Sequence, residues 1–155
     1  AVVLAASRAT RGLLAAIVSG ADLVFHEAGH PILGLLGSPL LMYLGGSLAQ
    51  LAIPSVAALA FALRRRTAAL AALLVWLAFN LVEVGTYAAD ATDRALPLLA
   101  PDVDAHDWWN ILGTLGVREH CRAIGGAIAG AGWVLWAAAP AWAGWKWLRA
   151  RRAAR

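Results

Sequence analysis

The stretch "LVFHEAGHPILG", residues 23–34, sets two histidines, His26 and His30, and one carboxylate, Glu27, inside an apolar run. The run extends from about Gly12 to Leu36, the roughly 20 residues that a bilayer core demands of a spanning helix. Ionisable groups are expensive at such depth, so their presence marks a bundle interior and a functional site together. The same twelve residues therefore point to a membrane-spanning helix and to chemistry carried on it.

Composition agrees. Of 155 residues, 61% are hydrophobic and only 14% are charged, against about 25% charged in ordinary soluble domains. The net charge of +4 does not indicate nucleic acid. The basic residues gather at the ends of apolar runs, and no phosphate-binding loop or stacking motif accompanies them. Cys121 is the only cysteine, which rules out an intrachain disulfide. A cleavable signal is not expected in the first 20 residues, because the apolar run continues through "HEAGH" without a small-residue cleavage site.

Working outward, four runs read as transmembrane helices: Gly12–Leu36, Ser47–Leu63, Thr67–Ala89 and Ala123–Leu148. Between the first two lies "GSPLLMYLGG", residues 37–46, apolar but too short to cross. It reads as a loop or re-entrant segment, because Gly37, Pro39, Gly45 and Gly46 interrupt helix. Before the fourth run, Asp107 reads as an N-cap opening a short interfacial helix, with Trp108 and Trp109 at headgroup depth. Gly126 and Gly130 read as a helix-packing pair. The expected fold is an all-α membrane protein: four transmembrane helices, a re-entrant-like segment and a short interfacial helix, in one domain over residues 1–155.

Sidedness follows from charge. An even number of spans puts Arg8, Arg11, Arg64, Arg65, Arg66, Lys146, Arg149, Arg151, Arg152 and Arg155 on one face. Arg94, Arg118 and Arg122 fall on the other, offset by Asp90, Asp93, Asp102, Asp104, Asp107 and Glu119. The positive-inside rule makes the first face cytoplasmic, and with it both termini. The expected location is a bacterial inner membrane.

"HEAGH" has the form H-E-x-x-H. Residues four apart share one helix face, so His26 and His30 can grip a single ion while Glu27 reaches water beside it. Two neutral imidazoles suit Zn²⁺, which lowers the pKa of water to about 7, and the carboxylate then acts as general base. Asp22, one turn before His26, is placed either to orient that imidazole or to bond nearby backbone.

A third ligand is needed. In the third run Asn80, Glu83, Tyr87 and Asp90 are spaced 3, 4 and 3 and share one stripe, which should face the bundle interior. Asp90 is the first choice as ligand, with Asn80 or Tyr87 holding substrate. His106 in the outer loop is an alternative or additional ligand, and Glu83 a further one. Gln50, near the start of the second run, could bind an extended substrate or stay structural. Counted from Arg11 and Arg66, the histidines, Glu83 and Asp90 all reach the outer half of the bilayer, the side that carries His106 and Asp107.

These residues resemble the site-2 protease family of intramembrane zinc metalloproteases. The likeness covers roughly residues 12–91 and rests on "HEAGH", the Gly-rich segment after it, and a later span bearing Asn80 and Asp90. It implies zinc held by His26, His30 and Asp90, Glu27 as base, and cleavage of a substrate helix. The region "NLVEVGTYAADA" lacks the Pro and Leu-Asp-Gly of that family's third-ligand pattern. "YAADATDRALPLL" and "HDWW" look more like small bacterial membrane proteins that share H-E-x-G-H. The expected function is a zinc metallopeptidase among membrane lipids, acting on a peptide or membrane protein near the outer face. Two alternatives stand beside it: a zinc amidase acting on a lipid or small amphiphile, and a non-enzymatic metal-binding protein. The residues leave the oligomeric state open.

Overall fold

The computed structural model describes residues 13–96 and 105–154, with side chains from residue 18. Arg8, Arg11, Gly12, Asp102, Asp104 and Arg155 lie outside the described residues. Among the described residues there are five α-helices and a short 3₁₀ turn: α1 Leu13–Gly34, α2 Pro39–Leu63, α3 Thr67–Ala89, α4 Asp107–Thr114, the turn Arg118–His120 and α5 Cys121–Ala153. No strand occurs among the described residues. Three helices, α2, α3 and the continuous segment Arg118–Ala153, are long and apolar enough to cross a membrane.

The segment read as re-entrant, residues 37–46, is instead a turn followed by the first turns of α2. Gly37 takes φ +73°, a left-handed conformation that reverses the chain cheaply. Ser38 then caps the helix, its hydroxyl accepting from the Leu41 N–H at 3.4 Å. Pro39 stands at the first helical position, where no N–H is needed. Helix thus restarts at once, and Gly45 and Gly46 fall inside it. Their role is close approach: a Cβ on Gly45 would collide with the Gly29 backbone, and one on Gly29 with the Gly45 carbonyl. The glycine of "HEAGH" and the pair in "LGG" let α1 and α2 lie backbone to backbone.

The helices pack in chain order, α1 on α2 and α2 on α3, with the most extensive contact between α3 and α5. That last crossing uses Gly85 and Gly125, where a Cβ on either would strike the other's carbonyl. Gly126 and Gly130, expected to do this, face open space.

α4 lies across the end of the bundle and closes its core. Val84, Tyr87, Ala88, Trp108, Ile111, Leu112 and Cys121 form one buried cluster there. Trp108, expected at headgroup depth, is turned inward and donates from Nε1 to Ser47 Oγ at 3.1 Å. Trp109 lies between the guanidinium groups of Arg94 and Arg118, 4.5 and 3.8 Å from its ring centre. The N-cap of α4 is His106, one residue before the expected Asp107: its Nδ1 accepts from the Trp109 N–H at 3.3 Å. Away from this end Val56, Leu59, Trp133, Val134 and Trp136 point outward, as suits helices in a hydrocarbon solvent.

Candidate metal centre

His26 and His30 project from one face of α1 with ring centres 5.0 Å apart. Asp107, the first residue of α4, reaches both. Its Oδ2 is 3.1 Å from His26 Nε2 and 3.5 Å from His30 Nε2. The three ligand atoms lie within 4.8 Å of one another. A tetrahedral zinc site with bonds of roughly 2.0–2.1 Å has ligand–ligand edges of about 3.3–3.4 Å, so the separations of Asp107 Oδ2 from the two Nε2 atoms bracket the required edge.

The hydrogen bonds behind the ring nitrogens decide their chemistry. His30 Nδ1 lies 2.9 Å from the Met42 carbonyl, which can only accept, so Nδ1 carries the proton. His26 Nδ1 lies 3.1 Å from Gln50 Oε1. Gln50 cannot present its NH₂ there, because that group donates to Glu83 Oε2 at 3.4 Å. His26 is therefore also protonated on Nδ1. In the neutral rings both Nε2 lone pairs then face the Asp107 carboxylate. Three acceptors turned on one point repel one another, and a divalent cation resolves all three contacts together.

Asp107 is held as firmly as the imidazoles. Its N–H donates to the Tyr87 hydroxyl at 3.0 Å, and that hydroxyl donates to Asp107 Oδ2 at 3.3 Å. Space for the imidazoles comes from Gly46: a Cβ there would stand 2.5 Å from His26 Nε2 and 2.7 Å from His30 Nε2. We expect Gly46→Ala to fold, with an overpacking cost of about 1–3 kcal/mol, and to lose metal affinity because both ligand nitrogens must move. A zinc titration of this variant matching wild type would show that the rings do not need that space.

The other residues anticipated around the metal take different places. Asp90, the expected third ligand, ends α3 and accepts from the Ala95 and Leu96 N–H groups at 3.1 Å each. Both its oxygens are committed to that turn. Its Oδ2 also lies 3.5 Å from His106 Nε2. His106, the alternative ligand, is fully buried, stacks on Tyr87 at 4.3 Å and spends Nδ1 on the α4 cap. Burial pushes its pKa below the ordinary histidine range, against the pull of Asp90, in keeping with a neutral ring. Asp22 does not orient His26; it accepts from Trp76 Nε1 at 2.9 Å. Asn80 donates to the Trp76 carbonyl at 3.0 Å. Glu83 is no ligand but a support, accepting from Gln50 and, at 3.5 Å, from the Ser19 hydroxyl. Gln50 and Tyr87, expected near substrate, hold the ligands His26 and Asp107.

One side of the centre is open. The His26 side chain is 2% exposed, that of Asp107 10% and that of His30 21%. Glu27, the residue after His26, is exposed. Pro31 has no N–H to offer the Glu27 carbonyl one turn earlier, which leaves an acceptor on the same exposed side.

Asp107 is the residue that reading the sequence missed. Its signal was faint: a carboxylate beside a suspected loop ligand, on the membrane side where the other groups converge. The chain matches no protein-family model, no curated protein and no solved structure.

Proposed function

We propose that the chain is an integral-membrane zinc metallopeptidase whose ligands are His26, His30 and Asp107 and whose general base is Glu27. The observation that carries this is the convergence of two Nδ1-protonated imidazoles and one carboxylate oxygen on a single point, next to an exposed carboxylate. Two nitrogens and one oxygen form a donor set suited to zinc, with a fourth position free. An ion held there would act as Lewis acid and bring the pKa of water to about 7. Glu27 takes the proton from the attacking water and delivers it to the leaving amine. Tyr87 keeps Asp107 in place throughout. Substrate approaches along the open side, past His30 and Glu27.

Zinc content tests the reading. Purified wild type should carry about one zinc per chain, and His26→Ala and His30→Ala should carry none. Equal content in all three proteins would remove the metal centre from consideration.

In the same reading α1 is a fourth membrane span beside the three long apolar helices, and both termini are cytoplasmic. The support is the positive charge of Arg64, Arg65, Arg66, Lys146, Arg149, Arg151 and Arg152 at one end of the bundle, with the metal cluster at the other. Reporter fusions after Arg155 and between Asp93 and His106 should report opposite sides; the same side for both would break the four-span arrangement.

A lipid amide is the second substrate class, favoured by one observation. Val24 and Pro31, one turn either side of Glu27, are exposed, Val24 at 65%, so the base is approached over apolar surface. A protein that only binds metal has no use for a carboxylate in that position.

A further inference from the structure

At the end of the bundle away from the metal cluster, positive charge gathers without an answering negative group. Arg64, Arg65 and Arg66 make the turn between α2 and α3, and Lys146 of α5 lines the same cavity as Arg65. The chain has no Asp or Glu between Glu27 and Glu83 and none after Glu119. Among the described residues no carboxylate pairs with any of these four cations. Lys146 Nζ lies 5.3 Å from the centre of the Trp142 ring, a contact that leaves its charge unneutralised. Like charges gathered on one turn repel one another, and an anion among them relieves that repulsion.

The turn itself does not call for arginine. Arg65 takes φ +54°, a left-handed conformation that Gly or Asn adopts at lower cost. Room for a ligand is present beside it. A cavity of about 660 Å³ is lined by Arg64, Arg65, Arg66 and Thr67. Two more, of about 290 and 320 Å³, also have Thr67 as a wall and reach Lys146. Phe61, Leu70 and Trp142 make part of the lining apolar.

We infer that this cradle between the α2–α3 turn and α5 binds the headgroup of an anionic phospholipid, with Arg65 and Lys146 on its phosphate. Guanidinium groups suit phosphate because they present paired donors, and an ammonium adds a compact charge. Charge alone would accept any anion; the position of the cradle selects lipid. α2, α3 and α5 are long and apolar enough to cross a membrane, and the arginines stand where α2 ends and α3 begins. Basic clusters at that level attract anionic headgroups. Acyl chains can then run along the outward surface of α2, where Leu63 is 76% and Leu59 60% exposed. Trp142 and Trp147, which line the smaller cavities, are of the type that settles at headgroup depth. The inference rests on these three helices lying in a bilayer; it needs neither the metal nor hydrolysis.

The test is thermal unfolding of the detergent-solubilised protein with phosphatidylglycerol or phosphatidylcholine added to the micelles at equal concentration. Sodium phosphate and polyglutamate serve as anions without acyl chains, with pH and ionic strength fixed throughout. A ligand that binds only the folded state raises the midpoint with the logarithm of its concentration above saturation. We expect that rise with phosphatidylglycerol alone. Arg65→Asn and Lys146→Gln should each lose most of it. Both side chains are exposed and Asn tolerates positive φ, so both variants should fold. Arg152→Gln, which removes a charge outside the three cavities, should keep the rise. Equal midpoints with the two lipids would overturn the site. So would a full response in either cradle variant, or an equal loss in Arg152→Gln, which would mean diffuse attraction to a basic surface. An equal rise with sodium phosphate or polyglutamate would overturn the assignment to lipid. Zinc content is measured beside each midpoint: zinc-free protein that still responds to phosphatidylglycerol would sink the proposed hydrolase and leave this site standing.

Discussion

Asp107→Ala should strip zinc from the protein, while Asp90→Ala should keep it. The expectation follows from where the oxygens point. Asp107 Oδ2 is 3.1 and 3.5 Å from the two Nε2 atoms; the Asp90 oxygens are taken by the Ala95 and Leu96 N–H groups. Removing a ligand of three should cost more than the roughly 10–100-fold in affinity that an outer partner typically contributes. Gln50→Ala and Tyr87→Phe belong to that smaller class, because they touch ligands and not the ion. Asp90→Ala loosens the turn after α3 and the environment of His106, one residue before Asp107, so a loss no larger than that of the outer partners is expected. Competition with a chromogenic chelator ranks the four variants. Zinc bound by Asp107→Ala as tightly as by wild type, with Asp90→Ala or His106→Ala deficient, would return the third ligand to the residues that the sequence pattern favoured.

How much was legible beforehand divides along physical lines. α3 runs from Thr67 to Ala89, as its apolar stretch between Arg66 and Asp90 indicates. Its start needs only the arginines of the preceding turn, and its end only the return of polar residues. The pairing of His26 and His30 on one face is equally readable, since i, i+4 spacing is local geometry. The start of α2 is not legible in the same way, because Gly45 and Gly46 read as helix breakers yet lie inside the helix. In isolation they weaken helix; here their missing side chains admit the Gly29 backbone and both imidazoles, a gain visible only once α1 lies against them.

The carboxylate that stands level with the histidines escapes the pattern for a related reason. The stripe Asn80, Glu83, Tyr87 and Asp90 does face polar surroundings, and three of its four members are buried. What spacing cannot give is which member stands level with the histidines. Tyr87 does, through its bonds to Asp107; Asp90 lies almost one turn further on and closes its own helix. The carboxylate beside the histidines comes instead from the N-terminal residue of α4, whose position depends on Trp108 docking into Ser47 and on His106 capping the helix. The first contact is tertiary and the second local, and neither leaves a periodic trace in the sequence.

Glu27→Gln should leave zinc content and melting temperature unchanged and lower the hydrolysis rate by about 10²–10⁴-fold, the range general base catalysis typically supplies. The substitution is isosteric and the side chain exposed, so the stability change should stay within about 0.5 kcal/mol. Glu27 also stands outside the trio of converging ligand atoms, so the ion should be retained. Activity and metal content are thereby separated, which no ligand mutation can achieve. The result discriminates between the classes of function as well. A hydrolase of either substrate class loses its rate with Glu27, whether the scissile bond is a peptide or a lipid amide. A metal-binding protein has no rate to lose, and wild type and variant would be equally inert with every candidate substrate. A variant that hydrolyses as fast as wild type would be the most informative failure. The metal centre would remain, but proton transfer would have to pass to another group on the open side, where Tyr87 is tied to Asp107 and both Nδ1 protons are committed to Met42 and Gln50. No other described side chain among the partners of this centre offers a free base, which is why the rate should depend so heavily on Glu27.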